Sequence, residues 1–248
     1  MKKTSVLLYS GVCYLVAFTT LLYLIVFVEG WNHQFIPRTV DAGGVVGDKP
    51  VSLAIDLGLL LLFAVQHSGM ARRAFKAFWT RVLVPKSVER STYILFASLC
   101  LIVLFAFWRP IPEVVWSIEN RAAANAVVAL SLLGWAILFT ATFLINHFEL
   151  FGLQQAYSHF KDVEMKNPSF RTPLYYRFVR HPIYFGLVLA MFAAPTMTMG
   201  RLVFSAVGLA YILVGIYFEE RDLVDIHGDQ YVEYRSRVRM LIPIRRGK

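Results

Sequence analysis

Long apolar runs separated by short polar and basic segments dominate the chain. The runs cover residues 6–28, 51–65, 93–108, 122–145, 183–199 and 202–218. A helix that crosses a bilayer needs about 20 apolar residues, with a range of about 17 to 25. The first and fourth runs reach this length outright, and the second reaches it by continuing through Gln66, His67 and Ser68. The pattern predicts an all-α, polytopic membrane bundle of about five or six transmembrane helices.

The last two runs are joined only by Gly200 and Arg201, which predicts a tight helical hairpin. A helix of 17 residues spans about 25 Å, slightly less than a typical hydrocarbon core. We therefore expect the hairpin to pack against other helices. The charged stretch that follows has Tyr231, Tyr234 and Val238 at helical spacing. This spacing predicts a C-terminal amphipathic helix on the membrane surface.

Composition narrows the class of protein. Of the 248 residues, 57% are hydrophobic and only 17% are charged, whereas a soluble domain has about 25% charged residues. A disulfide scaffold and an ordinary cytosolic enzyme are excluded. Cys13 and Cys100 lie inside apolar runs, which indicates no metal site. Although the net charge is +9, the basic residues lie between apolar runs, so we expect no nucleic-acid partner and see no sign of an obligate protein partner.

Basic residues also predict how the chain is oriented. Most of the 25 Lys and Arg residues fall in the N-terminus, the segments after the second and fourth runs, and the C-terminus. Cytoplasmic loops carry such an excess. Six crossings with both termini in the cytoplasm is the even arrangement that this bias supports, and the first run reads as a retained anchor. We expect residues 1–248 to form a single membrane domain.

Polar groups cluster at the membrane ends that the charge pattern assigns to the cytoplasmic side. One cluster is centred on His67, a second contains His147 and Glu149, and a third joins Arg180 and His181 to the end of the last run. Ionisable groups at membrane depth usually face a cavity or a partner. The alternative is that each group is a helix-end residue whose side chain extends to the membrane–water interface, without any shared site.

The most specific string begins with Arg180 and His181 and continues through Pro182, Tyr184 and Gly186. Pro182 fits the first turn of a helix, whose N-terminus suits an anion. The hairpin brings its return helix, which ends in Glu219 and Glu220, to the same membrane face. The remaining members of the pattern are Gly228, Tyr231, Tyr234, Ile242 and Pro243. The alternative is that these residues bind no ligand: they would only begin one helix and form a salt bridge where the last run leaves the membrane.

This combined pattern resembles the integral-membrane methyltransferases related to isoprenylcysteine carboxyl methyltransferase. Segments 66–72, 89–93, 108–112 and 146–152 are similar to the branch that converts methanethiol to dimethyl sulfide, so the resemblance covers most of the chain. Arg239 departs from the pattern, because proline is common there in the family. The resemblance implies a multi-pass protein of the bacterial inner membrane.

The resemblance also implies S-adenosylmethionine as methyl donor, held in the C-terminal part at about 175–243. No Gly-rich motif follows a strand, so no Rossmann domain is expected. Arg180, His181 and the helix start suit the donor carboxylate, and Glu219 and Glu220 suit its ammonium and ribose. Aromatic rings suit its adenine, although each tyrosine also fits an interfacial belt. The predicted donor-binding residues are Arg180, His181, Tyr184, Gly186, Glu219, Glu220, Tyr231 and Tyr234.

The acceptor, a small thiol, reacts as its thiolate. His67 and His147 are therefore the candidate catalytic bases, with Glu149 orienting one of them, because imidazole titrates near neutral pH. The alternative is that both histidines only hydrogen-bond neighbouring helices. Other open functions are methylation of a prenyl-cysteine carboxylate or a phospholipid, reduction with NADPH through basic tail residues, and haem ligation.

Overall fold

Helices make up most of the computed structural model, which describes residues 2–31, 34, 36–165 and 170–243. The helices are α1 (Lys3–Glu29), α2 (Lys49–Ala71), α3 (Arg73–Val82), α4 (Lys86–Phe107), α5 (Arg121–Ile145), α6 (His147–Leu150), α7 (Leu153–Lys161), α8 (Pro182–Phe192), α9 (Met199–His227) and α10 (Asp229–Arg237). A 3-10 helix covers Leu174–Arg177, and β1 (Val114–Ser117) pairs with β2 (Thr196–Thr198).

Five of these helices, α1, α2, α4, α5 and α9, are long and apolar enough to cross a membrane. The predicted polytopic helical bundle is therefore confirmed, and the chain is a multi-pass membrane protein. Across the described residues, β1 and β2 form the only sheet. The expectation of no Rossmann domain is confirmed with it.

The fifth apolar run forms a shorter helix than we predicted. Residues 183–199 suggested a nearly spanning helix, but α8 has 11 residues and ends at Phe192. Pro195 explains the ending, because proline has no N–H to donate and disfavours helical backbone at the residue before it. The chain continues into β2, and the Ile118 N–H donates to the Pro195 carbonyl at 2.9 Å. The connection between the two helices is therefore residues 193–198, and the predicted connection of Gly200 and Arg201 was wrong, since both lie in the first turn of α9.

The chain divides into two compact units. Unit 1 consists of Met1–Glu113, His147–Lys166 and Thr198–Phe204, and unit 2 consists of Val114–Asn146, Asn167–Met197 and Ser205–Lys248. In unit 1, α4 packs against α1 and α2. Buried polar contacts join α1 to α4: Ser91 donates its hydroxyl to the hydroxyl oxygen of Ser10 at 2.9 Å, and the Tyr9 and Thr92 hydroxyls are 3.0 Å apart.

Asp56, the ionisable residue deepest in the second apolar run, is fully buried in unit 1. Its Oδ1 accepts the Arg109 N–H at 2.9 Å, which ties α2 to the segment after α4. The neighbouring Trp108 is also buried, and its indole N–H donates to the Val40 carbonyl at 3.0 Å. Asp56 therefore has a structural partner at this end of the unit.

In unit 2, α8 packs closely against α5. A Cβ on Gly186 would lie only 2.5 Å from the Gly134 carbonyl oxygen, and a Cβ on Gly134 would lie 2.6 Å from that of Gly186. Ser131 donates its hydroxyl to the Ala190 carbonyl at 3.0 Å. Small residues at a helix crossing let two backbones approach in this way. The expected packing of the hairpin is thus confirmed for its first helix.

Candidate functional site

Arg180 lies just before α8 and fastens three segments of unit 2 together. Its Nε donates to Glu220 Oε1 at 2.7 Å, and Nη2 lies 2.7 Å from the same oxygen. Its Nη1 donates to the carbonyls of Val238 at 2.5 Å and Arg235 at 3.2 Å. The side chains of Arg180 and Glu220 are only 8% and 12% exposed. The ion pair that the hairpin predicts is therefore formed, and it is largely buried.

His181 precedes Pro182, the first residue of α8, and contributes its side chain to the same ion cluster. Its Nε2 lies 3.1 Å from Glu220 Oε1, and its Nδ1 lies 3.8 Å from Glu219 Oε2. Tyr184, in the first turn of α8, stacks on the His181 ring at 5.7 Å and donates its hydroxyl to Glu219 Oε2 at 2.9 Å. All five predicted charged and aromatic residues of this segment and of the glutamate pair thus lie together.

The tail after α10 returns to the start of α8. Val179 and Arg239 form a parallel bridge, in which the Arg180 N–H donates to the Arg239 carbonyl at 2.8 Å. The His181 N–H donates to the Met240 carbonyl at 3.2 Å.

The buried face of α10 carries Tyr231 and Tyr234, as the spacing predicts, whereas Val238 lies beyond its end in extended backbone. Tyr234 donates its hydroxyl to the Tyr176 carbonyl at 2.5 Å. The Phe170 ring lies 6.1 Å from the Tyr231 ring and 5.3 Å from the Tyr234 ring. Burial raises the pKa of all three tyrosines well above the usual range, so their hydroxyls stay neutral.

Two hydroxyls in this aromatic cluster stand out. Tyr231 is 2% exposed and Tyr176 is 8% exposed. Within the described part of the chain, neither hydroxyl has a hydrogen-bond partner. Leaving a buried polar group unsatisfied costs about 1 to 3 kcal/mol, so each of these hydroxyls is a candidate for a hydrogen bond to a bound molecule.

Beside this cluster lies a cavity of about 380 Å³, lined by Arg180, Val232, Arg235 and Ser236. The Arg235 side chain is 45% exposed, and its Nη1 lies 4.0 Å from Glu220 Oε2. Arg180 already donates to a carboxylate and two carbonyls, so Arg235 is the cation with more free capacity at the cavity. Unit 2 therefore has a cavity lined by two arginines, both of which lie near the Glu220 carboxylate.

Gly186, also predicted to bind the donor, lies in the close crossing of α8 with α5 described above. The packing by itself accounts for a glycine at this position. Its contribution to donor binding stays a prediction.

The two candidate bases lie in unit 1, and each has a tyrosine partner. His67 is in α2, and its Nε2 lies 2.8 Å from the Tyr93 hydroxyl of α4. The Arg90 guanidinium lies 5.1 Å from the centre of the Tyr93 ring and donates to the Leu150 carbonyl at 2.8 Å. The Tyr93 hydroxyl is thereby held against the imidazole.

His147 begins α6, immediately after the end of α5 at Asn146. It is 2% exposed, and its Nε2 lies 3.0 Å from the Tyr14 hydroxyl of α1. Burial lowers the pKa of His147 below its ordinary value, so its imidazole is neutral near pH 7. Glu149 is half-buried in the same short helix, and its carbonyl accepts the Gly152 N–H at 3.1 Å. Its orienting role stays a prediction.

Several residues with a place in these clusters escaped the sequence analysis. Tyr14, Phe170 and Tyr176 carry no local motif, Tyr93 entered only as part of segment 89–93, and Arg235 entered only as a basic residue of the tail. Tyr93 is 26 residues from His67, and Tyr14 is 133 residues from His147. Such pairs arise from tertiary packing, and helical periodicity in one chain does not reveal them.

Fold and site together define an integral-membrane helical protein with a buried ion cluster where two helices of its C-terminal part meet the tail. Relatives identify the family. The chain is 53% identical over 241 residues to methanethiol S-methyltransferase 1 of Bradyrhizobium diazoefficiens, covering 96% of this chain and 82% of the relative. It therefore belongs to the methanethiol S-methyltransferase family, whose membership implies a methyl donor.

Two further relatives support this assignment. The methanethiol S-methyltransferases of Crocosphaera subtropica and Mycobacterium tuberculosis are each 46% identical over 243 residues. The alignments cover 98% of this chain in both cases, with 93% and 98% of the respective relatives. No family model and no solved structure matches the chain.

Proposed function

We propose that this protein methylates a small thiol, converting methanethiol to dimethyl sulfide with S-adenosylmethionine as donor. Similarity to methanethiol S-methyltransferases over nearly the whole chain carries this proposal. The comparisons do not favour methylation of a prenyl-cysteine or phospholipid, or reduction with NADPH.

The cluster in unit 2 fits the chemistry of the proposed donor, which has a carboxylate, an ammonium group and ribose hydroxyls. Arg235 has free hydrogen-bonding capacity for the carboxylate, with Arg180 behind it. Glu219 and Oε2 of Glu220 would accept from the ammonium and the hydroxyls. The unsatisfied hydroxyl of Tyr231 is an independent sign that the protein has a bond to complete there.

The aromatic residues support binding of adenine. Tyr184 stacks on His181 and is half-buried, so part of its ring is open to a ligand. Tyr231 and Tyr234 are buried and pack with Phe170 in a second aromatic cluster. We assign donor binding to the C-terminal part at about 175–243, with Gly186 allowing α8 to approach α5.

The bound donor would supply a sulfonium methyl group, which an incoming thiolate takes by forming a new carbon–sulfur bond as the old one breaks. The reaction merges a cation and an anion into neutral products. A dry site that solvates separated charges poorly therefore favours it, and a membrane protein provides such surroundings.

The protein must also remove the thiol proton, because an alkyl thiol has a pKa at or above the value of about 8.5 for cysteine. We assign this step to His67 or His147. Each is contacted at Nε2 by a tyrosine hydroxyl, which fixes the orientation of the imidazole ring that would take up the proton. Burial keeps His147 in the neutral form that a base requires.

We further propose that the protein lies in a bacterial inner membrane with both termini in the cytoplasm. This arrangement requires a sixth crossing, made by α8 and the segment that follows it, in addition to the five long helices. The distribution of Lys and Arg along the chain supports this orientation.

A direct assay tests the function. The purified full chain is incubated with S-adenosylmethionine and either methanethiol, a farnesylated cysteine or phosphatidylethanolamine, and dimethyl sulfide is measured by headspace gas chromatography. We expect dimethyl sulfide from methanethiol and no methylation of the two larger acceptors. Absence of product from methanethiol, or faster methylation of a larger acceptor, contradicts the proposal.

Alanine substitutions test the base. General-base catalysis contributes about 10²- to 10⁴-fold in rate, so His67→Ala or His147→Ala should lower kcat by such a factor with little change in donor affinity. The exposed His159 of α7 provides a matched control, and His159→Ala should keep the wild-type rate. Wild-type kcat in both test variants removes histidine from the mechanism.

A further inference from the structure

Unit 1 contains a groove of about 600 Å³ between α1 and α4. Its lining residues are distinct from the candidate site residues, and most of them are apolar. Leu15 and Tyr23 contribute to one wall, and Ile102 and Phe105 contribute to the other. The Tyr23 and Phe105 rings, one from each wall, pack at 5.0 Å.

The groove opens on the surface of the two helices, because Leu15 is 63% exposed and Ile102 is 43% exposed. Both helices are membrane spans, so the opening faces lipid. From Leu15 to Tyr23, α1 rises about 12 Å at 1.5 Å per residue. A groove of this length and polarity matches a substantial part of an acyl chain.

Arg38 lies at the Tyr23 end of the groove and gives it a charge. The loop that carries Arg38 folds back along α1: Tyr23 donates its hydroxyl to the Arg38 carbonyl at 2.9 Å, and the Val40 N–H donates to the Phe27 carbonyl at 3.0 Å. Arg38 is half-buried, and no ion pair recorded among the described residues includes it. Within the described part of the chain, this half-buried cation at the end of an apolar groove therefore has no acidic partner at ion-pair distance.

We propose that the groove binds one phospholipid with a net negative headgroup. Its acyl chain lies between α1 and α4, and its phosphate pairs with the Arg38 guanidinium. Guanidinium groups bind phosphate oxygens through two parallel hydrogen bonds. The lipid would thereby fasten the loop after α1 to the two helices that carry the tyrosine partners of His67 and His147.

Native mass spectrometry of the full chain tests this proposal, with equal concentrations of phosphatidylglycerol and phosphatidylcholine. A basic residue near an anionic membrane surface contributes about 1 kcal/mol, so we expect about a fivefold preference for phosphatidylglycerol at one site. Arg38→Gln should abolish this preference. Arg121→Gln is the matched control, because Arg121 is exposed at the start of α5 in unit 2, and it should keep the preference.

A second variant tests the groove itself. Ala106 lines it and is exposed, so Ala106→Trp fills the groove without disturbing a buried contact and should lower occupancy by both lipids severalfold. Wild-type preference in Arg38→Gln overturns the headgroup assignment, and wild-type occupancy in Ala106→Trp overturns the groove. Conversion of a dimer to a monomer by Ala106→Trp also overturns the proposal, since the groove would then be an interface between copies.

Discussion

Two tyrosines three residues apart on α10 are both buried but differ in the hydrogen bonding of their hydroxyls. Tyr234 donates its hydroxyl to the Tyr176 carbonyl, whereas the hydroxyl of the more deeply buried Tyr231 has no hydrogen-bond partner within the described chain. The first hydroxyl stabilises the fold. We assign the second to the ligand.

Substitution by phenylalanine separates these roles. Tyr234→Phe should lower the free energy of unfolding by about 1 kcal/mol, because one net hydrogen bond is lost. Tyr231→Phe should leave thermal stability unchanged or slightly higher, yet weaken S-adenosylmethionine binding about fivefold, which corresponds to about 1 kcal/mol. Thermal unfolding and calorimetry measure the two effects. Wild-type donor affinity in Tyr231→Phe contradicts our assignment of its hydroxyl.

The burial of His147 should make the stability of the protein depend on pH. Burial lowers its pKa in the folded protein, so the folded state binds fewer protons than the unfolded state as the pH falls below about 6.5. Stability should therefore decrease on acidification, by at most about 1.4 kcal/mol per pH unit from this one group.

The thermal unfolding midpoint between pH 7.5 and 5 measures this effect. His147→Gln retains a side chain that hydrogen-bonds the Tyr14 hydroxyl but does not titrate, so its midpoint should decrease less on acidification. Equal decreases in the wild type and the variant would show that His147 does not cause the pH dependence.

At the level of helices, the crossing of α5 and α8 depends on glycine. A Cβ on Gly186 meets backbone of α5 at 2.5 Å, whereas a Cβ on Gly215 in α9 meets nothing within 4 Å. Gly186→Ala should therefore destabilise the protein by about 1 to 3 kcal/mol through overpacking. Gly215→Ala, the matched control, should be neutral or stabilise by up to about 1 kcal/mol. Similar thermal stability of the two variants would contradict the close crossing.

Apolar periodicity was sufficient to predict the long helices and the buried face of α10. It overestimated the length of α8, because the apolar run continues past the end of the helix. Pro195 ends the helix, and the apolar residues after it belong to β2. The charged part of the site was predictable, since the hairpin brings Glu220 back to Arg180. The tyrosine partners of His67 and His147 were not predictable, because only tertiary packing brings them together.

At the level of the whole molecule, the predicted residues fall into two compact units. The candidate bases belong to unit 1, and the predicted donor-binding residues belong to unit 2. Within unit 2, the start of α8, the last turns of α9 and the tail meet at one ion cluster. Arg180 has a larger structural role than expected, since most of its donors bind protein atoms, and this makes Glu220 and Arg235 the more direct candidates for contact with the donor.

The central claim is that this ion cluster binds S-adenosylmethionine, and isothermal titration calorimetry of Glu220→Gln tests it most directly. Glu233, an exposed residue of α10, provides the control variant Glu233→Gln, and thermal unfolding establishes that both variants are folded. We predict at least a tenfold loss of donor affinity, about 1.4 kcal/mol or more, in Glu220→Gln and wild-type affinity in Glu233→Gln. Wild-type affinity in a folded Glu220→Gln protein would contradict this placement of the donor.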